Sequence, residues 1–153
     1  MKRIIHKLYQ KVVKRRKHFR KMFNNQFLTL IYERPSGKGA NEILDIYSSV
    51  ISGFAVPLRT EHVDFFKHFL TPLFKMQSCS EFYEELLRCI LIFLNKDKTL
   101  AEPLLKTVLE FWPYGNTTKE IGFLVTLYES MDYITELDNI EFYIDPLFKR
   151  IAS

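Results

Sequence analysis

The chain has 153 residues, of which 47% are hydrophobic and 26% are charged, and it contains only five glycines. This length and apolar content suit a single domain with a buried core and argue against wholesale disorder, while the scarcity of glycine disfavours a turn-rich β fold. No apolar stretch approaches the roughly 20 residues that a membrane-spanning helix needs, and the start lacks the apolar region of a secretory signal.

The net charge of +4 hides a strong asymmetry along the chain. Residues 1–21 hold ten lysines and arginines and no acidic residue, whereas the rest of the chain holds 12 basic and 18 acidic residues. The basic end is expected to attract an anionic partner that the rest of the chain would repel. Cys79 and Cys89 fit a helical pattern as two partly buried, reduced thiols, so we expect a cytoplasmic and/or nuclear protein.

In the first half of the chain, apolar residues recur with helical spacing. A first stripe covers residues 5–31 and is followed by the break RPSGKG at residues 34–39. A strongly apolar second helix is predicted over residues 43–54, and Pro57 is expected to end it.

The middle of the chain predicts two further helices. Thr60 is the expected cap of the third helix, which should kink or restart at Pro72 because proline lacks the amide hydrogen that a helix needs. The next helix is predicted over residues 81–95, with Ser78 or Ser80 as its cap.

The last third of the chain predicts three helices. They are expected over residues 99–112, 119–134 and 140–152. Asp97 or Thr99 should cap the first of them, Thr117 or Thr118 should open the second, and Pro146 lies inside the third.

These helices come in pairs with a regular spacing. Pair starts fall near residues 40, 79 and 117, so the period is roughly 40 residues. A two-helix repeat of this length is typical of HEAT or armadillo-type solenoids, in which each hairpin buries its apolar face against its neighbours. We therefore predict an all-α, HEAT-like superhelix of about four helix pairs, with residues 1–153 forming one domain. The alternative is an irregular helical bundle.

Several segments resemble one protein family. They are IIHKLYQKVVKRRKHFRKMFNNQFLTLIYE, NEILDIYSSVISGFAVPLRTEHVDFFKHFLTPLFKM, LNKDKTLAEPLLKTVLEFWP and IDPLFKRIA. Together they are similar to the B-prime (B56-type) regulatory subunits of protein phosphatase type 2A, whose members are longer HEAT-like solenoids of about eight pairs. The chain corresponds to the middle of the family's pattern, as a cut piece or as a shortened relative.

The resemblance implies a non-catalytic subunit that recruits substrates to the phosphatase. Its expected partners are the phosphatase scaffold and catalytic subunits, together with acidic or phosphorylated short linear motifs of the form Leu-x-x-Ile-x-Glu. The family's peptide-binding residues, carried over position by position, are His6, Lys7, Tyr9, Val13, Arg16, Ile46, Val50, Arg59 and His62. Lys7, Val13 and Arg59 replace the family's usual Arg, Leu and Lys, and the point charge of Lys7 is expected to weaken carboxylate recognition.

Helical geometry is compatible with this site. One face of a helix would carry His6, Tyr9, Val13, Arg16 and Arg20. Ile46 and Val50 form an i, i+4 pair one repeat later. Stacked repeats would bring Tyr9 and Val13 next to Ile46 and Val50, as an apolar pocket rimmed by cations. The alternative is that Tyr9, Val13, Ile46 and Val50 are ordinary core residues. The neighbouring lysines (Lys11, Lys14, Lys17 and Lys21) are expected to be solvated and to steer acidic partners.

No catalytic constellation is recognisable in the sequence. A P-loop, the GxGxxG, GxSxG and HExxH motifs and a CxxC pair are all absent. We therefore interpret the chain as non-enzymatic and expect no cofactor or metal.

Two other interpretations compete for the basic end. The chain could be a helical-repeat protein that binds RNA or DNA along residues 2–21, or a helix that lies on an anionic membrane. Both are disfavoured because the aromatic and apolar residues of this stretch fit a packed core stripe rather than a stacking platform or a membrane face. If the 153 residues are the whole protein, phosphatase assembly is less expected, and exposed apolar ends of the solenoid could pair two copies into a dimer.

Overall fold

A computed structural model of the chain describes residue 11, residues 16–33 and residues 36–152. Within these ranges the backbone is helical and contains no strand. Its α-helices are α1 (Arg16–Glu33), α2 (Ala40–Ser52), α3 (Thr60–Phe65), α4 (Tyr83–Lys96), α5 (Ala101–Glu110), α6 (Thr117–Ile134) and α7 (Glu141–Ile151). The all-α prediction is therefore confirmed.

The helices form two stacked layers. In one layer, α2 packs against α4, and α4 packs against α6. In the other layer, α1 contacts the segment that continues α3, that segment contacts α5, and α5 contacts α7. Each helix therefore stacks on the corresponding helix of the next pair, as in a solenoid of helical repeats.

Hydrogen bonds between consecutive helix pairs join residues that are about one repeat apart in the sequence. Arg88 is 43 residues from its partner Asp45, Tyr83 is 39 residues from the Gly122 carbonyl, and Asn139 is 37 residues from Glu102. Each bond therefore joins equivalent parts of consecutive helix pairs. This regularity confirms that the predicted 40-residue spacing arises from repeat stacking and not from an irregular bundle.

The second predicted helix ends earlier than expected. Gly53 closes α2 by donating its backbone N–H to Val50 O at 3.2 Å, and Phe54 donates to Ile51 O at 2.9 Å. Phe54 thus lies beyond the helix but remains buried, because the chain turns there and directs this aromatic ring into the core. The helix therefore ends at Ser52, ahead of Pro57.

The third helix changes geometry before Pro72, as predicted. After α3 the backbone continues as a π-helical turn, Phe66–Leu70, and then as a 3-10 helix, Thr71–Lys75. Because proline has no amide hydrogen, the α-helical hydrogen-bond pattern cannot continue through it. The regular α-helix is therefore replaced by a π-helical turn and a 3-10 helix around Pro72.

The predicted caps of two helices are wrong. Arg59, not Thr60, precedes α3, and its side chain makes no capping bond. Ser78 and Ser80 belong to a 3-10 helix, Gln77–Glu81, and Phe82 precedes α4. Ser78, Cys79 and Phe82 are buried there, so packing of this turn, rather than serine capping, determines where α4 begins.

The later caps follow the predictions more closely. The Asp97 side chain accepts a hydrogen bond from Thr99 N at 3.0 Å and caps a short 3-10 helix, Lys98–Leu100, that leads into α5. Thr117 begins α6 as expected, while Asn116 supplies the cap by accepting from Lys119 N at 3.1 Å.

Aromatic rings join consecutive repeats in the core. Phe93 of α4 is fully buried, and its ring centroid lies 6.2 Å from that of Phe54 and 5.3 Å from that of Phe66. Cys79 and Cys89 are also buried as free thiols, and burial raises the pKa of each to about 12. Both cysteines therefore remain protonated at neutral pH and serve as core residues.

The last helices expose several large apolar side chains. Tyr128 on α6 is 77% exposed, and Phe142 and Phe148 on α7 are 81% and 67% exposed. These residues fit the expectation of an apolar end face, but pairing of two copies through it stays a prediction. In the described part of the chain, no helix combines the length and apolarity needed to span a membrane.

Candidate functional site

Part of the predicted peptide site lies outside the described residues. His6, Lys7, Tyr9 and Val13 belong to that part, so their roles stay predictions. Arg16 is the first residue of α1, but its side chain is also outside the description. The part of the site that the structure describes therefore lies on α2, at the start of α3 and on α1 from residue 18 onward.

The apolar pair on α2 is unequally exposed. Val50 is 1% exposed and belongs to the core cluster, whereas Ile46 is only partly buried. Ile46 is therefore the member of the pair that presents surface outside the core.

An ion pair connects the basic helix α1 to the first turn of α3. Arg20 Nη2 lies 2.9 Å from Glu61 Oε1, and the two side chains are 18% and 46% exposed. The same Glu61 oxygen lies 3.8 Å from His62 Nε2. The predicted cationic face of α1 is thereby held next to one of the predicted site residues.

His62 is buried against an aromatic ring. It is 6% exposed, and its imidazole stacks on Phe54 with ring centroids 3.8 Å apart and planes 2° from parallel. Neither ring nitrogen makes a hydrogen bond to any residue in the described ranges. Burial lowers the pKa of His62; the Glu61 carboxylate opposes this effect, and the Arg20 and Arg59 guanidinium groups add to it.

The resulting cluster contains two guanidinium groups, one carboxylate and an imidazole whose protonation is disfavoured. Arg59 is exposed directly before α3, while Arg20 is mostly covered and already paired. A carboxylate or phosphate that approached this corner would find cations on two different helical segments. No group of three or more potential metal ligands is present among the residues that the structure describes.

Comparison with known proteins identifies the relatives of this chain. The model of the protein phosphatase 2A regulatory B subunit (B56 family) matches residues 1–153. The chain belongs to the B56 family. The resemblance found in its sequence segments is therefore confirmed over the whole chain.

Individual B56 relatives agree with the family match. The chain is 40% identical over 152 residues to the mouse serine/threonine-protein phosphatase 2A 56 kDa regulatory subunit beta isoform. This match covers 99% of the chain and 30% of the relative. It is 39% identical over 155 residues to the human alpha isoform, covering all of the chain and 31% of the relative.

A nematode relative shows the same coverage. The chain is 38% identical over 153 residues to the Caenorhabditis elegans serine/threonine-protein phosphatase 2A regulatory subunit pptr-1, and the match covers all of the chain and 28% of that protein. The chain thus spans about 30% of the length of these B56 relatives. All three are named as regulatory subunits, in agreement with the interpretation of the chain as non-enzymatic.

Two residues at the corner around His62 were not expected from the sequence. Neither Glu61 nor Phe54 is among the site residues that the sequence predicts, and Phe54 falls only within the predicted helix of residues 43–54. The available signals were the position of Glu61 beside His62 and that of Phe54 within SGFAVPL, one of the strings most specific to the resemblance.

The buried His62 predicts a pH dependence of stability. Its pKa in the folded chain lies below the ordinary value of 6.5, so the unfolded chain binds a proton more readily than the folded one. The contribution of His62 to the free energy of unfolding should be fully present above pH 6.5. It should be lost as the pH falls below that value, by at most about 1.4 kcal/mol per pH unit.

Urea unfolding at several pH values between 7.5 and 5 would check this prediction. His62→Gln should show a shallower loss of stability below pH 6.5 than the original chain. His68→Gln is the matched control because His68 is exposed. Equal pH slopes for the original chain and His62→Gln would contradict the assignment.

Proposed function

We propose that the chain provides a substrate-recruiting part of a non-catalytic regulatory subunit of protein phosphatase 2A. In this role it binds acidic short linear motifs of the Leu-x-x-Ile-x-Glu type in an apolar groove rimmed by basic residues. The observation that carries the proposal is the B56 family match over residues 1–153. The relatives support it, because they are named as regulatory subunits of protein phosphatase 2A.

The chemistry of the described corner supports an acidic ligand. Arg59 is exposed directly before α3, and Arg20 of α1 makes an ion pair with Glu61 of α3. Ile46 adds a partly exposed apolar surface on α2. A peptide with an apolar anchor followed by a carboxylate combines the two kinds of group that such a surface can bind.

The proposal includes the phosphatase itself as a partner. The relatives are named as subunits of protein phosphatase 2A, so we propose that this chain contacts the scaffold and catalytic subunits when it acts. The chain spans about 30% of the length of those relatives. Peptide binding and assembly with the phosphatase should therefore be measured as two separate activities.

Calorimetric titration with a Leu-x-x-Ile-x-Glu peptide would test the recruiting role. Two apolar anchors at about 1.5–3 kcal/mol each, together with charge-assisted bonds, suit an affinity in the micromolar range. Replacing the peptide's Leu or Ile by Ala should weaken binding by roughly 10-fold or more. Tyr9→Ala should have a comparable effect, while Tyr128→Ala, an exposed tyrosine on α6, serves as the control.

Titration at two salt concentrations separates this function from nucleic-acid binding. Peptide binding should retain a salt-resistant apolar part, whereas binding of RNA or DNA should fall steeply with salt and ignore the peptide sequence. Absence of peptide binding by a folded chain, or equal binding of the Ala-substituted peptides, would overturn the proposal. Salt-sensitive RNA or DNA binding in that case would favour the alternative function.

A further inference from the structure

A buried lysine in the first turn of α6 has no acidic partner among the residues that the structure describes. Lys119 is only 7% exposed. Its ammonium group lies 3.5 Å from the Lys75 carbonyl oxygen and 5.8 Å from the centre of the Phe123 ring. No carboxylate forms an ion pair with it in the part of the chain that the structure describes. A buried cation is normally paired, because removing an isolated charge from water is unfavourable.

The pKa of Lys119 reflects this environment. Burial lowers the pKa of Lys119, and among the described residues an ionised Cys79 thiolate would act in the opposite direction. That thiol is itself protonated at neutral pH because burial raises its pKa to about 12. At neutral pH the Lys119 ammonium therefore lacks compensation from a negative charge of the described chain.

Lys119 lines a cavity of about 350 Å³ between two inter-repeat connections. One connection contains Lys75 and Gln77, and the other contains Trp112, Tyr114 and Asn116. Among the described residues no aspartate or glutamate lines the cavity. Lys75 is exposed and lies over the Phe111 ring at 5.8 Å, so it places a second positive charge at the cavity.

Polar groups around the two lysines also suit an anion. The Asn116 side-chain oxygen already accepts from Lys119 N, which leaves its amide NH₂ as the group able to interact with a ligand. The Gln77 amide provides a further donor, and the adjoining N-terminus of the 18-residue helix α6 carries a partial positive charge. Cations, amide donors and a helix N-terminus together match the oxygen atoms of a phosphate group.

We propose that this cavity binds a phosphate-monoester group, with Lys119 as its buried cation and Lys75 as its exposed cation. The volume leaves room for the group that carries the phosphate, against the aromatic rings of Trp112 and Tyr114. Both a free phosphate compound and a phosphorylated side chain offer this chemistry. The proposal rests on the cavity alone and is independent of the proposed recruiting function.

Trp112 gives a direct readout of the cavity, because it is the only tryptophan of the chain. Titration with inorganic phosphate, against sodium chloride at the same ionic strength, should change the Trp112 fluorescence in a saturable way. Lys119→Gln should raise the dissociation constant for phosphate by about ten-fold or more, and Lys75→Gln should raise it less. Lys67→Gln, which removes an exposed lysine elsewhere, should leave binding unchanged.

The source of the phosphate group is distinguished by a second set of titrations. A phosphoserine peptide and its unphosphorylated form are compared with inorganic phosphate, and tighter binding of the phosphopeptide would assign the cavity to a phosphorylated side chain. If inorganic phosphate binds as tightly as the phosphopeptide, a free phosphate compound is favoured. The proposal is overturned if chloride produces the same fluorescence change, or if folded Lys119→Gln and Lys75→Gln bind phosphate like the original chain.

Discussion

Replacing Phe93 with alanine is expected to lower the free energy of unfolding by about 3–5 kcal/mol, since the ring is fully buried and its loss leaves a cavity. Phe93 lies in α4 and contacts Phe54, which follows α2, and Phe66, which follows α3. The substitution therefore removes packing between one helix pair and the next. Urea denaturation followed by circular dichroism would measure the effect.

Phe142→Ala is the matched control for Phe93→Ala. Phe142 is 81% exposed on α7, so its removal should change the free energy of unfolding by no more than about 0.5 kcal/mol. Similar losses from the two substitutions would mean that burial of the rings does not account for the stability of the repeat stack. A small loss at Phe93 alone would show that the neighbouring repeats close the cavity by moving together.

The architecture could be predicted because its main signals are periodic. Helical spacing of apolar residues is set by which side chains face the core, and repeat stacking imposes the same pattern every 40 residues or so. The break before α2, which the structure describes at residues 36–39, and the disruption before Pro72 were also predictable, because glycine and proline act on the backbone directly. These features depend on local chemistry or on a period, and both can be read from one sequence.

The exact helix starts depended on packing that the sequence does not display. A serine cap contributes only about 1 kcal/mol, so burial of neighbouring side chains can override it. This is the case at α4, where Cys79 and Phe82 are buried and Ser78 lies within a 3-10 turn. At α6 the Asn116 side chain accepts from Lys119 N at 3.1 Å, so the side-chain cap forms there.

The charges of the candidate sites could be predicted, but their pairing could not. Arg20 was recognised as part of a cationic face, yet its partner Glu61 lies one repeat further along the chain. Lys119 lies in the first turn of a helix, where a lysine is usually solvated, and only the stacked connections reveal its burial. Pairing and burial of charges are consequences of tertiary contacts and not of spacing.

The two basic sites differ in how their charge is compensated. Arg20 already has a carboxylate at 2.9 Å, so an acidic ligand at that corner must share or displace Glu61. Lys119 has no carboxylate partner among the described residues, so an anion in its cavity would relieve an uncompensated buried charge. The same physical principle therefore predicts competition at the first site and direct pairing at the second.

Gly37→Ala is expected to lower the free energy of unfolding by about 2–5 kcal/mol, because the residue combines an unusual backbone conformation with a close contact. Its φ angle is +63°, a region that L side chains rarely adopt. An added Cβ would also lie 2.7 Å from Ser78 Oγ and 2.9 Å from Phe82 Cε1. The Phe82 ring is 1% exposed and has little room to move.

Gly39→Ala separates these two effects. Gly39 has a φ angle of +88°, but a Cβ there would meet no atom within 4 Å. Its substitution should cost only the backbone strain, about 1–2 kcal/mol, and urea unfolding of both variants would give the difference. A larger loss at Gly37 would attribute the excess to the contact with Ser78 and Phe82, which fixes the connection between α1 and α2 against the start of α4. Equal losses of unfolding free energy for Gly37→Ala and Gly39→Ala would instead show that the turn moves to accommodate the added methyl group. In that case the connection would not fix α1 against the start of α4.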